Sequence, residues 1–564
     1  MILGLIAALV GGGLWLLRDD SGGDVPRIEG RAVVLPAVVR SPDPWARWGL
    51  PVIVTTTLER TPAVDVVSID RVHSLLDGRG LLAVEAAERE RARRLVTALG
   101  ASVVVDLGVA RAATGETTLD VLLWSDDGVR LDRRRLTAPD LAAVTDDLVV
   151  YLGDVLGGGA RMQRPAEALS GEGWVDRLWA AGVARSFDDG PGPACSYFDI
   201  ALHEAPRFAQ ARQRRLRCLL LAGDPEALRE ASLDLMQLAQ AVGTRDLQAA
   251  GFEALAALEA EGGDLTAARE QLEQALRLYG EHGDPAAQAR VLAADSSVAA
   301  RQGEIEASRA ALERALELRV GLGDLLGQVD GLLRLAQIES GVLGAGDAAA
   351  LEALEKAARL AARLDDEWST HRVAVDLGGS ALRLGDVERA VALWRPALAY
   401  HRGRDDRRRM LRLVRRLADA EEQLGALDVA EDLSNEQLEL ADELADRAAA
   451  ADAAVRLARL QLRLGYPLQA RGYLQRALEL DRWLDDRSDL QRVIAWMAYE
   501  RGSYGLAVET LTRVIEQAPV PHDEDRAFLA VYRRARALGE RLPLPGEEGH
   551  TATDPATESS GGAA

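Results

Sequence analysis

Apolar positions along this chain fall into two regimes. From about residue 165 onward they recur in a fixed phrase: a small residue at a turn, a small residue five later, a large apolar one nine later and another small one twelve later. The clearest copy is Gly385, Ala390, Trp394 and Ala397. Others are Gly263, Ala268, Leu272, Ala275; Gly303, Ser308, Leu312, Ala315; Gly465, Ala470, Leu474, Ala477; and Gly502, Ala507, Leu511, Val514. Two worn copies start at Ala345 and Gly425, the second with Ser434 and Gln437 at its inner positions. Successive turn positions lie 40, 42, 40, 40, 40 and 37 residues apart, and a period of that length predicts a solenoid. Within each copy, the positions i, i+4 and i+7 share one helix face. The small residues admit a neighbouring helix, and the large one fills the space between. Gly-Asp ahead of the phrase reads as a stop and a start, Gly closing one helix and Asp capping the next. Each unit is then a helical hairpin that buries its face only against the next unit.

Before residue 160 the period differs. Arg31–Val39, Val64–Ile69, Ser102–Ala110 and Thr118–Trp124 are β-branched runs that read as strands, and Val129–Leu136 pairs with the last of them through Asp127-Gly128. Trp45–Leu58, broken or started by Pro51, Ala83–Leu99 and Leu141–Leu156 read as helices. The sum is a compact α/β domain. Ahead of it, Ile2–Leu17 carries no charge and ends at Arg18-Asp19-Asp20. Three roles fit it: a short membrane anchor, a secretory signal or a buried apolar strand or helix. The anchor fits best, because no basic segment precedes the run and no clear cleavage site follows it.

The repeat phrase resembles the tetratricopeptide repeat (TPR) family, most closely at Leu377, Gly378, Ala390, Trp394 and Ala397 and, in a 34-residue form, at Gly182, Ala194, Phe198, Ala201 and Pro206. The resemblance implies a protein- or peptide-binding solenoid whose first helices line a groove. Residues 31–157 are similar to the TolB-like amino-terminal domain at Val33–Pro36, Trp48–Leu50, Leu99–Arg111, Gly115–Trp124 and Asp140–Leu156. That second resemblance implies an extracytoplasmic sensory or docking module between a membrane segment and TPR units. The expected fold is therefore a mainly α, TPR-like α-solenoid behind a small α/β domain and an N-terminal transmembrane helix. Its expected divisions are an anchor at 1–18, a linker at 19–30, the α/β domain at 31–157, the solenoid with a C-terminal capping helix at 165–541, and a disordered tail at 542–564. The expected location is the inner membrane, single-pass, with the rest periplasmic.

Composition narrows the chemistry. A net charge of -22 over 564 residues argues against a nucleic-acid partner. Lys356 is the only lysine and lies in no Gly-Lys-Ser/Thr, which excludes a P-loop and a kinase phosphate-pairing lysine. The seven histidines have no His-x-x-x-His spacing, there is no Cys-x-x-Cys and no Gly-x-Ser-x-Gly elbow, so no metal, cofactor or catalytic residues are expected. Cys195 and Cys218 fall in repeat helices, and core packing is their expected role.

One cluster stands against the acidic background: His401–Arg416 reads HRGRDDRRRMLRLVRR. Placed on the first helices that the TPR resemblance assigns to the groove, Arg412, Arg415 and Arg416, with Arg456 and Arg459 in the next unit and Arg492 after it, are expected to face that groove. Guanidinium forks there suit a carboxylate or phosphate; the bland alternative is a solvated face paired with Asp405, Asp406, Asp419 and Glu422. The expected function is a non-enzymatic, membrane-anchored protein-interaction scaffold with an anionic protein or peptide in the groove, or else the extracytoplasmic sensor part of a bacterial signalling or transcription-regulating protein whose effector domain is absent or separate.

Overall fold

A computed structural model describes residues 28 to 545 apart from 29, 41–44, 60–63, 78, 80, 82–85, 112–115, 158–168, 342–345, 365, 481–487 and 518–522. The chain divides into two compact units, the first ending at Ser369 and the second starting at Thr370.

The first unit opens with a small sheet. β1 (Ala32–Val34) and β2 (Val38–Arg40) both pair in parallel with β3 (Val103–Arg111), and β4 (Thr117–Ser125) and β5 (Arg130–Ala138) continue antiparallel. The single strand expected over Arg31–Val39 is interrupted around Pro36, whose missing N–H cannot serve a ladder. β3 is central and buried on both faces, β4 alternates, and β5 is an exposed edge guarded by Arg130, Arg133, Arg134 and Arg135. Gly128, at φ +82°, makes the expected hairpin turn. Three helices cover the sheet as expected: α1 (Ala46–Glu59), which runs through Pro51 unbroken, α3 (Ala86–Thr97) and α4 (Leu141–Gly157). The fourth is a correction. Val64–Ile69 contributes one isolated bridge, Val66 to Ala32, and the chain then enters α2 (Ile69–Asp77), with Ile69, Val72, Leu75 and Leu76 buried at helical spacing.

Helical hairpins follow. In the first unit they are α5 (Gly173–Asp188) with α6 (Pro191–Glu204), α7 (Ala209–Ala222) with α8 (Pro225–Val242), α9 (Arg245–Gly262) with α10 (Leu265–His282), α11 (Pro285–Gln302) with α12 (Ile305–Gly321), and α13 (Leu325–Ser340) with α14 (Gly346–Leu364). The second unit holds most of α15 (Glu367–Arg383) and its partner α16 (Val387–Arg402). It continues with α17 (Arg407–Gln423), α18 (Leu427–Glu443), α19 (Arg447–Arg463), α20 (Pro467–Leu480), α21 (Ser488–Glu500), α22 (Tyr504–Gln517) and α23 (Asp523–Leu538). The molecule is thus mainly helical, a TPR-like solenoid with one small sheet. α23 sets Leu529, Tyr532 and Ala535 into a core with Tyr499, Leu511 and Leu544.

The local chemistry explains the beat. Gly223, Gly243, Gly263, Gly283, Gly303 and Gly323 all take positive φ and come every twenty residues, where only glycine turns a helix end without strain. Asp224, Asp264, Asp284, Asp324, Asp386, Asp406 and Asp446 each accept a hydrogen bond from the backbone N–H three residues on. Each such cap is worth about 1 kcal/mol. The inner positions of the phrase are buried: Ala268, Leu272, Ala275; Ser308, Leu312, Ala315; Ala350, Leu354, Ala357; and Ala390, Trp394, Ala397. The worn unit buries polar side chains that find partners. Ser434 Oγ donates to the Ala430 carbonyl, and Gln437 Nε2 donates to the Ala449 carbonyl at 3.1 Å. The turn before α17 and the one before α19 use Asp405 (φ +52°) and Ala445 (φ +54°) where earlier units use glycine. A side chain there costs about 1 kcal/mol or more. Ala445→Gly should therefore raise the unfolding midpoint in urea, by about 1 kcal/mol in stability.

Two expectations need correcting. Among the described residues no helix is long and apolar enough to cross a membrane, which overturns the single-pass inner-membrane placement with its periplasmic soluble part. The apolar run on which it rested, residues 2–17, lies outside the described residues, as does nearly all of the expected tail. Second, Cys195 and Cys218 do more than pack: they form a disulfide between neighbouring helices α6 and α7, Cα to Cα 5.8 Å, 23 residues apart. Closing a loop of that size restricts the unfolded chain by about 3 kcal/mol. Calorimetry with and without a thiol reductant should show a lower melting temperature in the reduced form.

Candidate interaction faces

In the second unit, the first helix of each hairpin carries the arginines that the sequence singled out. Leu411, Leu413, Val414 and Leu417 anchor α17 in its core, which turns Arg408, Arg412, Arg415 and Arg416 outward at positions i, i+4, i+7 and i+8. Arg408 and Arg412 are exposed and bond to no described residue. Arg415 reaches Asp452 at 3.6 Å with its side chain 56% exposed, and Arg416 lies 5.9 Å from the centre of the Trp394 ring. Asp376 on α15 belongs to this field. Burial pushes its carboxyl above the usual range, against Arg416, Arg372 and Arg383.

The other three arginines are engaged. Arg456 is buried and donates to Asp419 and to Gln437 Oε1; burial pulls its guanidinium below the usual range while Asp419 pushes back. Arg459 makes a two-pronged bond to Glu422 at 2.9 and 2.6 Å. Arg492 does the same with Asp525 at 2.8 and 2.9 Å. These pairs bind one repeat to the next, with partners 37, 37 and 33 residues apart.

In the first unit the corresponding first helices meet the α/β part of the same chain, a feature that sequence reasoning missed. Trp48, Val52, Leu75 and Leu76 share one apolar core with Trp179, Val183, Phe198 and Ala201, and α1 packs directly on α5. The same core runs on to Leu99 and Leu326, and polar contacts surround it. Asp70 receives Arg214 at 2.7 and 2.8 Å; burial pushes its carboxyl up, yet Arg214 and Arg217 hold it below the usual range. Arg71 reaches the cap carboxylate Asp324 at 2.5 Å. Arg79 donates to Asp366 at 2.9 and 2.6 Å and to Ser369 Oγ at 3.0 Å, 4.8 Å from the Trp368 ring centre. The Leu326 N–H donates to the Ala98 carbonyl, and a side chain on Gly100 would stand 1.9 Å from the Leu322 carbonyl oxygen. The available signal was the cap aspartate that recurs as Asp284, Asp324, Asp406 and Asp446, a carboxylate at the start of the first helix in each of those repeats.

A cavity of about 350 Å³ opens where α2 faces α5, α6 and α7, lined by Asp70, His73, Ser74, Phe187, Phe198 and Arg214 among others. The His73 ring stacks on Phe187 at 4.2 Å and meets Trp48 edge-on. Burial draws its pKa below the usual range, although Asp77 pulls upward, and among the described residues its Nε2 has no hydrogen-bond partner. Among the described residues, no three His, Cys, Asp or Glu side chains are grouped so as to hold a metal ion.

No family model matches the chain, and no curated protein matches it. Solved structures do. The apo form of RapI is 16% identical over 65% of this chain and 100% of that one, with a TM-score of 0.47. A Signal Transduction ATPase with Numerous Domains, carrying a tetratricopeptide repeat sensor, from Pyrococcus horikoshii is 12% identical over 84% of this chain and 72% of that one, at 0.45. A tetratricopeptide repeat protein from Parabacteroides merdae is 15% identical over 50% of this chain and 98% of that one, at 0.35. At these identities and TM-scores the likeness goes no further than helical repeats.

Proposed function

We propose that this chain is a non-enzymatic interaction scaffold that takes an anionic protein segment on the α17 face of its second unit. The observation that carries the reading is the stripe Arg408, Arg412, Arg415 and Arg416, four exposed guanidiniums on one helix of a chain with net charge -22, two of them bonded to no described residue. Planar forks fixed on a rigid helix lose little entropy on binding carboxylates. Arg456 and Arg459 tie α17 to the next repeat through Asp419 and Glu422, and Arg492 makes the corresponding tie to Asp525 further along the chain. In this reading residues 165–541 are the scaffold, the helix Asp523–Leu538 closes its end, and residues 31–157 are a TolB-like module.

The test is fluorescence anisotropy with a labelled oligo-glutamate peptide at low and high salt. Binding should fall with salt, and Arg412→Glu/Arg415→Glu should weaken it by at least about tenfold, some 1.4 kcal/mol, with unchanged helicity by circular dichroism. Equal binding by the variant would refute the site.

The cavity beside His73 favours a second reading, in which the chain is the sensor part of a signalling system and the α/β module takes a small ligand. Calorimetric binding of a small molecule that His73→Phe abolishes, with the α17 stripe silent toward peptides, would select it.

A further inference from the structure

One short helix of the α/β part meets the repeats as a bound peptide would. α2 sets Asp70 on Arg214 of α7 and Arg71 on Asp324 at the start of α13, and Arg79, just past its end, sits on Asp366 at the start of α15. At about 1.5 Å per helical residue, α2 (Ile69–Asp77) is by itself long enough to step between first helices of successive repeats, about 8–10 Å apart. Asp324 serves both partners at once: one oxygen caps its own helix at Gly327, and the other takes Arg71.

The attachment has two ends of different character. At one end α1 and α5 share a continuous apolar core, which does not come apart without exposing Trp48 and Trp179. At the other end Leu326 and Leu364 touch the margin of the same apolar core, and the rest of the contact is made by ion pairs, a main-chain hydrogen bond and the close approach of Gly100 to Leu322. Such a polar contact is matched in kind by any segment presenting the same groups, whereas the apolar end is a fixed pivot. The side chains that α2 offers form a compact pattern: a carboxylate, then arginines one and nine positions later.

We propose that this polar latch is an autoinhibitory contact: α2 and the turn at residues 98–100 hold the first-helix face of the first unit closed, and a partner helix carrying a carboxylate followed by arginines at the same spacing competes for Arg214, Asp324 and Asp366. The site is separate from the α17 stripe and takes a partner of mixed charge rather than an acidic one.

The experiment uses the full chain and a labelled synthetic peptide of residues 64–81. Hydrogen exchange of the first turns of α13 and α15 reports whether the latch is open, and anisotropy reports peptide binding. The wild type should protect those turns and bind the peptide weakly. Arg71→Gln/Arg79→Gln should exchange faster there and bind at least about tenfold more tightly. A peptide with both arginines replaced by glutamine should not bind. If the double variant loses its helical fold, Arg71→Gln alone, at a side chain about one-third exposed, carries the same two readouts. Unchanged exchange in a folded variant overturns the latch. An opened variant that ignores the peptide, or binds the glutamine peptide equally, overturns the recognition face and leaves α2 as a structural brace.

Discussion

Trp394→Ala should destabilise the second unit by about 3–5 kcal/mol, the range for removing a large buried aromatic side chain. Trp394 is fully buried in the core that joins α16 to α17 and α18, and its indole N–H donates to the Val375 carbonyl at 2.9 Å. Truncation opens a large cavity, removes that bond and strips the platform under Arg416. Gly378 makes the site unforgiving from the other side, since a Cβ there would lie 2.4–2.8 Å from indole atoms. Trp394→Phe should cost less because most of the ring remains, whereas Gly378→Ala should cost about 1–3 kcal/mol through overpacking. Urea unfolding followed by far-ultraviolet circular dichroism checks all three. A loss below 1 kcal/mol for Trp394→Ala would mean that repeats are held by their helix ends rather than by this interdigitation.

The same residues show why the repeat was legible and the interaction faces only partly so. Ala390, Trp394 and Ala397 recur because each unit solves the same packing problem, and the period survives even where Ser434 and Gln437 replace the apolar pair. Gly-Asp worked because each half has one local task, a positive φ and a cap. The arginines were harder. Arg412 and Arg456 look alike in sequence, yet one is solvated and the other is buried against Asp419, 37 residues away. Only the neighbouring repeat decides which, although that offset is close to one repeat and the pairing is readable once the register is known. α2 was lost to local propensity: Val64–Ile69 is β-branched, and the 3.6-residue period of Ile69, Val72, Leu75 and Leu76 spans only nine residues. The disulfide was lost because repeat register says which helix a cysteine is on but not which way it faces a neighbour.

Arg79→Gln is expected to cost about as much as the tryptophan change, for an electrostatic reason. Arg79 and Asp366 expose 4% and 0% of their side chains, and no solvent screens the carboxylate left behind. Removing one partner of such a pair typically costs about 3–5 kcal/mol, chiefly the penalty of an uncompensated buried charge. Among the described residues Asp366 then keeps its bonds from Ser369, through N–H and hydroxyl, and its second oxygen has no partner. Its carboxyl pKa, which burial pushes up and Arg79 now holds below the usual range, should rise in the variant. The sign follows: a depressed carboxylate stabilises above its unfolded pKa and loses that contribution as pH falls through the folded one. Wild-type stability should therefore decline in acid below about pH 4, and the variant should lose this dependence. Asp366→Asn in the Arg79→Gln background retains the helix-start acceptor without the charge, and should recover most of the loss. Where the cost appears is as informative as its size. If the α2 contact opens more easily than the unit unfolds, hydrogen exchange will quicken at α2 and at the start of α15 while the global melting temperature moves little. If the contact is an inseparable part of the fold, the whole unit will melt earlier and its exchange will quicken together.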